Sequence, residues 1–100
     1  MTSLQDITGR LRRALQGQAG LDKTLKIDLR GDGVVFIEGA EVFNEDRPAD
    51  CTVSMSTEDL LALAQGRLDP MSALMRGRMR VTGDMSVALR LQPILSSAKD

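Results

Sequence analysis

The sequence predicts an α+β fold in which helices layer onto an antiparallel-rich sheet. Three observations carry that expectation. Apolar residues recur at helical spacing at the start of the chain, short stretches further on alternate apolar with polar side chains, and three later helix starts carry their own capping residues. The resulting order is helix, three strands, a fourth strand, two helices, a fifth strand and a last helix, which suits one sheet with helices packed on it. At 100 residues the chain is read as a single domain spanning positions 1–100.

Leu4, Ile7, Leu11 and Leu15 lie on one helical stripe, with Arg10, Arg12 and Arg13 largely on other faces. This gives a first helix over roughly 3–17 that ends in the glycine-bearing "GQAG". Its narrow stripe suits a helix that covers a sheet. "TLKIDLRGDGVVFIEG" reads as a strand pair, with Leu25, Ile27 and Leu29 on one face and Lys26, Asp28 and Arg30 on the other. Between the strands, "RGDG" supplies turn residues that tolerate positive φ. "AEVFNED" is read as a short third strand, broken at Arg47-Pro48.

"DCTVSMS" is the next strand, with Cys51, Val53 and Met55 inward. Ser56 then caps the helix "TEDLLALAQ", with Asp59 at the fourth position of a capping box and Gly66 as the stop. Asp69 and Pro70 start a second helix, "MSALMR", which Gly77 ends. "RMRVT" is the last strand, with Met79 and Val81 inward. Asp84 caps the final helix, and Pro93 either interrupts that helix or begins a further short turn. No internal repeat, low-complexity stretch or linker is evident.

Composition excludes several functional classes. Thirteen basic and fourteen acidic residues leave a net charge of −1, where a nucleic-acid binder usually carries a positive surplus. The chain has two phenylalanines and no Trp or Tyr, so it lacks the aromatic platforms that stack bases. A single cysteine rules out an internal disulfide framework, no run approaches 18 apolar residues, and the N-terminus lacks a secretory h-region. A reducing, cytoplasmic setting is expected. With no histidine the commonest general base and metal ligand is missing. Cys51 sits on an inward strand face that disfavours the thiolate, and the glycine spacings lack a phosphate-loop context. The sequence therefore points to a protein that is not an enzyme, with no cofactor and no metal.

The charge is unevenly distributed. Residues 38–59 hold seven acids against Arg47 alone, a net of −6, whereas residues 67–90 hold five arginines against Asp69 and Asp84, a net of +3. Arg76, Arg78 and Arg80 alternate and would project to one side of an extended segment. They are candidates for transient contact with an anionic membrane surface, or else the solvent side of a half-buried strand.

The last helix has more apolar surface than one sheet can cover. At about 100° per residue, Met85, Ala88, Leu89 and Gln92 form one stripe, and Val87, Leu91, Ile94 and Leu95 form an adjoining one. Only Ser86 and Arg90 make a polar wedge. The sheet accounts for one apolar face. The other is left to a second helix, a second subunit or a bound apolar molecule. Gln92 needs a hydrogen bond if buried, from a ligand or from water at a frayed end. Methionines 55, 71, 75, 79 and 85 fall within one 31-residue span, and such unbranched side chains adapt either to core gaps or to apolar ligands of variable shape.

The stretch 49–95 carries a spaced series of features: "DCT" leading a strand, then "TEDLLAL", "GRLDP", "ALMRGRMRVTGDM" and "ALRLQ". In this series the chain resembles the sterol carrier protein 2 family of small lipid-transfer domains, over about half its length. The resemblance implies a five-stranded, mostly antiparallel sheet covered on one face by helices, with an apolar tunnel between the layers. It also places the helix after Asp84 in the tunnel wall. Positions 73 to 75 read Ala-Leu-Met where phenylalanines are common in the family, a departure that bears on pocket shape and ligand preference.

The expected function is non-covalent binding, and transfer, of a fatty acyl, sterol-like or prenyl lipid. The expected ligand-binding residues are Met71, Leu74, Met75, Met79, Met85, Leu89 and Gln92. The alternative is an accessory module for a lipid- or quinone-modifying enzyme, using the same apolar face for docking or dimerisation. The sequence leaves monomer and homodimer open, and nucleic acid is not an expected partner.

Overall fold

The alternation in "LKID" and "CTVS" sets the centre of the sheet. In the computed structural model, which describes residues 4–16, 22–91 and 93–94, these segments are β1 (Leu25–Asp28) and β4 (Cys51–Ser54). They lie side by side and parallel, with Ile27 opposite Val53. The other strands are β2 (Val34–Glu38), β3 (Glu41–Phe43) and β5 (Arg80–Gly83). The sheet order is β3-β2-β1-β4-β5. The pairs β1/β2, β2/β3 and β4/β5 are antiparallel, so the sheet is five-stranded and mixed, with its one parallel pair at the centre.

A parallel pair requires the chain to cross the sheet between its two strands. Residues 44–50 make that crossing, and the contacts show which face they take. Val35 and Ile37 of β2 point into the main core, while Phe36 between them is also buried and lies outside that core cluster. Its ring is covered from the other side by the Arg47 guanidinium, 5.7 Å from the Phe36 centroid and 4.8 Å from that of Phe43. Lys26, opposite Phe36 in register, pairs with Asp46 at 2.8 Å. The segment after β3 is thus a strap over the outer face. This explains why β2 is buried on both sides.

The helices cover the inner face. Helix α1 (Leu4–Gln16) buries Ile7, Leu11, Ala14 and Leu15, as a narrow stripe should. Arg12 donates to the Val42 carbonyl at 2.8 Å, and Asn44 ties α1 to β2 by donating to Thr8 Oγ1 at 2.9 Å and to the Val34 carbonyl at 3.1 Å. In the first hairpin, Arg30 and Gly31 both take positive φ, and Asp32 N donates to the Leu29 carbonyl at 3.1 Å. This matches the turn type that follows the strand twist.

Helices α2 (Thr57–Ala64) and α3 (Pro70–Met75) start as the capping residues predict. Ser56 Oγ accepts from Asp59 N at 3.1 Å, and Asp69 accepts from Ser72 N at 3.1 Å. Only this half of the box at Ser56 is as expected, since the Asp59 carboxylate is directed to Arg78, 3.7 Å away. Both helices end alike. Arg67 N and Arg78 N donate to the carbonyls of Ala62 and Ala73, and Gly66 N and Gly77 N to those of Leu63 and Leu74. These are two Schellman ends, each followed by a buried side chain, Leu68 or Met79. The expectation of no repeat is corrected here: Ala-Leu-x-x-Gly-Arg-apolar occurs at 62–68 and again at 73–79, and each copy builds the same helix end.

The last strand begins later than "RMRVT" suggests, at Arg80, because the Schellman turn occupies residues 76–79. Arg76, Arg78 and Arg80 are all exposed, yet they do not form one extended row: Arg76 caps α3, Gly77 takes φ 74, and only Arg80 belongs to a strand. Helix α4 (Met85–Leu89) follows at once. The chain is helical again at Leu91, Pro93 and Ile94, with Ile94 N donating to the Arg90 carbonyl at 3.5 Å. Pro93 therefore belongs to a new turn.

Candidate functional site

The two apolar stripes of α4 have different surroundings. Val87, Leu91 and Ile94 are buried and join the main core, as does Ala88. Met85 and Leu89, one turn apart, are 46% and 52% exposed. The sheet takes one stripe, and large apolar side chains of the other stand in water. Helix α3 shows the same division: Ala73 is fully buried and Leu74 half-buried, while Met71 and Met75 are 56% and 83% exposed.

Of the residues expected to bind ligand, Met79 is buried and Leu74 packs partly against the core. Met71 and Met75 pair on the outside of α3, and Met85 and Leu89 on the outside of α4. Gln92 lies outside the described residues. A groove of about 320 Å³ beside α1 is lined by Arg12, Ala40, Glu41, Val42 and Phe43. A smaller pocket of about 100 Å³ is lined by Asp22, Lys23, Ser86, Val87 and Arg90. Neither involves the expected residues.

Charged ties fix α4 where it meets the sheet. Asp84 caps the helix, accepting from Ser86 N at 3.0 Å and from Ser86 Oγ at 2.6 Å, and its other oxygen holds Lys23. Those bonds to the charged form, Lys23 first, hold the Asp84 carboxyl down at about 2 and raise Lys23. Arg90, at the far end of α4, lies 3.6 Å from Asp22. Sequence reasoning missed these ties. Lys23 and Asp84 are 61 positions apart, and no local pattern relates them.

Cys51 is fully buried beneath α4. Burial, and secondarily the charge of Asp84, push its thiol up from its ordinary value, so the neutral form is favoured. Among the described residues no group of three or more His, Cys, Asp or Glu is placed to hold a metal ion. No helix among them is long and apolar enough to cross a membrane.

A five-stranded sheet with one helical layer, and apolar helix faces left outside the core, defines the class of small α+β domains with apolar binding surfaces. The chain belongs to the SCP-2 sterol transfer family, whose model matches residues 2–96. The human protein sterol carrier protein 2 is 36% identical over 76 residues, covering 76% of this chain and 13% of the relative. The chain thus spans a small part of the length of the curated relatives it matches. Among solved structures, sterol carrier protein 2 from Aedes aegypti in complex with palmitate superposes with a TM-score of 0.76 at 18% identity, covering 97% of this chain and 98% of that one. The UbiJ-SCP2 ubiquinone synthesis protein gives a TM-score of 0.57 at 24% identity over 88% and 74%. These two likenesses establish the fold.

Proposed function

We propose that this chain is a cytoplasmic carrier domain that binds a lipid-like molecule without any covalent step and passes it on. The ligand class is a fatty acyl, sterol-like or prenyl lipid. Membership of the sterol transfer family supports this reading, as does the palmitate in the Aedes aegypti relative. The observation that carries it is α4, a helix with one apolar stripe on the sheet and the other, Met85 and Leu89, uncovered. In this reading Met71, Leu74, Met75, Met79, Met85 and Leu89 meet the ligand's hydrocarbon and Gln92 its polar end. The hydrophobic effect supplies the affinity, at roughly 25 cal/mol per Å² removed from water before association costs.

Native mass spectrometry of the protein purified from cells tests the reading, together with titration of a fluorescent fatty acid. A retained lipid is expected. Met85→Asp and Leu89→Asp are expected to weaken fatty-acid uptake while leaving the fold intact, because both side chains are exposed in the folded chain. An empty protein that takes up no fatty acid overturns the reading. If it is also dimeric, and Met85→Asp dissociates it, the exposed pair is a protein-docking face, which is the accessory-module alternative.

A further inference from the structure

The sheet ends in two strands, β3 and β5, and the chain treats them differently. The β3 edge is closed from within. Arg12 of α1 donates to the Val42 carbonyl through both Nε and Nη2, at 3.2 and 2.8 Å, and so occupies an acceptor that an incoming strand would use. At β5, Asp84 N donates to the Asp50 carbonyl at 3.0 Å. Across a trans peptide the Gly83 carbonyl points the opposite way, off the sheet. The β4/β5 register carries that alternation along the strand. Arg80 and Thr82 turn their backbone groups to β4, and Val81 and Gly83 turn theirs outward. The β5 edge thus presents two donors and two acceptors at the spacing of another strand.

The side chains along β5 decide what kind of strand fits. Val81 lies opposite Val53 on the inner face and is half-buried against the core. A strand paired there would add an apolar side chain to the margin of that layer. Arg80 lies opposite Ser54 on the outer face, exposed, and its side chain makes no hydrogen bond or ion pair among the described residues. Arg30 joins it there, donating to Ser54 Oγ and to the Arg78 carbonyl, each at 3.4 Å. The acid in the same row, Asp28, is two strands in from the edge and accepts from Arg30 N at 3.1 Å. The edge is therefore cationic on its outer side and apolar on its inner side. Charge also selects the occupant. A second copy paired through β5 would bring the stretch 67–90, net +3, against itself, and like charges on neighbouring strands are destabilising. An acidic strand meets no such opposition.

We infer that β5 is a docking edge for an extended segment of a partner protein in which apolar and acidic side chains alternate. The segment adds as a sixth, antiparallel strand, the arrangement in which Val81 and Gly83 each exchange both bonds with the residue opposite. Its apolar residues align with Val81 and its acids with Arg80. Main-chain bonds supply the affinity in such an addition and alternate side chains the specificity. With only four residues in β5, the contact is short and readily reversible. It uses the backbone of β5 and not the uncovered stripe of α4, so it does not depend on the carrier reading.

NMR titration of the isotope-labelled full chain with a capped peptide of alternating Val and Glu tests the inference. Shifts and slowed hydrogen exchange are expected at the Val81 and Gly83 amides, with the Thr82 amide, already turned to β4, as the internal reference. A peptide of alternating Val and Lys is expected to bind about tenfold more weakly, and Arg80→Glu to weaken the Glu peptide about fivefold. Val81→Pro removes an outward donor only, a change that an edge strand tolerates, and is expected to weaken binding about fivefold. N-methylation of the peptide makes the same test on unaltered protein. At the valines, whose N–H groups face β5, it is expected to cut binding about tenfold or more, and at the glutamates, whose N–H groups face away, to leave it unchanged. Unshifted Val81 and Gly83 amides, equal binding of the Lys peptide, or equal binding of the valine-methylated peptide overturns the inference. So does a dimer in sedimentation whose Val81 and Gly83 amides are protected without any peptide, since the occupant is then a second copy.

Discussion

Lys23 and Asp84 tie the segment entering β1 to the start of α4. The same carboxylate also caps the helix through Ser86, two residues on, so one side chain makes a local bond and another to a residue 61 positions away. Its carboxyl is held at about 2, against 3.8 for the free group. A carboxylate with a depressed folded value adds stability that is present above the unfolded value and is lost as pH falls through the folded one. The window here runs from about 4 down to about 2. Asp84→Asn keeps a good capping residue but removes the charge. We expect it to flatten the pH dependence of the urea midpoint within that window. A slope identical to wild type would show that the tie contributes nothing to folding.

The glycines at 77 and 83 take similar positive φ values, 74 and 97, but differ in their surroundings. A Cβ at position 77 meets nothing within 4 Å, whereas at position 83 it would lie 2.3 Å from the Asp50 carbonyl oxygen. Gly77→Ala should therefore cost only the left-handed backbone penalty, roughly 1–2 kcal/mol. Gly83→Ala carries that penalty and a backbone clash beside the Asp84 N–H that bonds the same carbonyl at 3.0 Å. Urea titrations are expected to rank Gly83→Ala as clearly the more destabilising, and equal costs would contradict the close approach.

Local patterns in the sequence specified those parts of the fold that local physics decides. Ser56, Asp69 and Asp84 were legible as caps because each satisfies donors two or three residues away. The alternation in β1 and β4 was legible because each strand has one face on the core. β2 gave no such alternation, since Phe36 is covered by a strap whose Arg47 is eleven residues on. The methionines were the hardest to place. Periodicity puts Met71 and Met75 on one face but says nothing of which way that face looks, and the adjacent Ala73 took the inward position. For α4 the two stripes were legible, and the sheet's choice of the Val87 stripe was not.

Cys51 is expected to be unreactive in the native state. It has no exposed surface, and burial disfavours its thiolate. Thiolate is the form that attacks disulfide reagents. At about pH 8, where an unperturbed thiol reacts readily, the native protein should react with an aromatic disulfide only as fast as it opens, and the rate should rise with denaturant. Immediate stoichiometric labelling of the folded protein would mean that α4 does not cover this position.

Arg47 makes two kinds of contact, and substitution separates them. Its guanidinium lies over both phenylalanine rings and pairs with Glu45 at 2.6 Å. The ion pair is about half exposed on both sides, and such pairs contribute roughly 0–1 kcal/mol. The ring contacts are different, because the planar group covers Phe36, which no inner-face residue can reach. Arg47→Ala is expected to cost about 1–2 kcal/mol through lost cation–π attraction and newly wetted ring surface. Glu45→Gln should cost less than about 0.5 kcal/mol. Arg47→Lys should fall between them, since a compact ammonium cannot lie flat on two rings. Urea midpoints of the three variants decide the matter. If Glu45→Gln proved as costly as Arg47→Ala, the strap over the outer face would be held by charge, and the burial of Phe36 would need another cause.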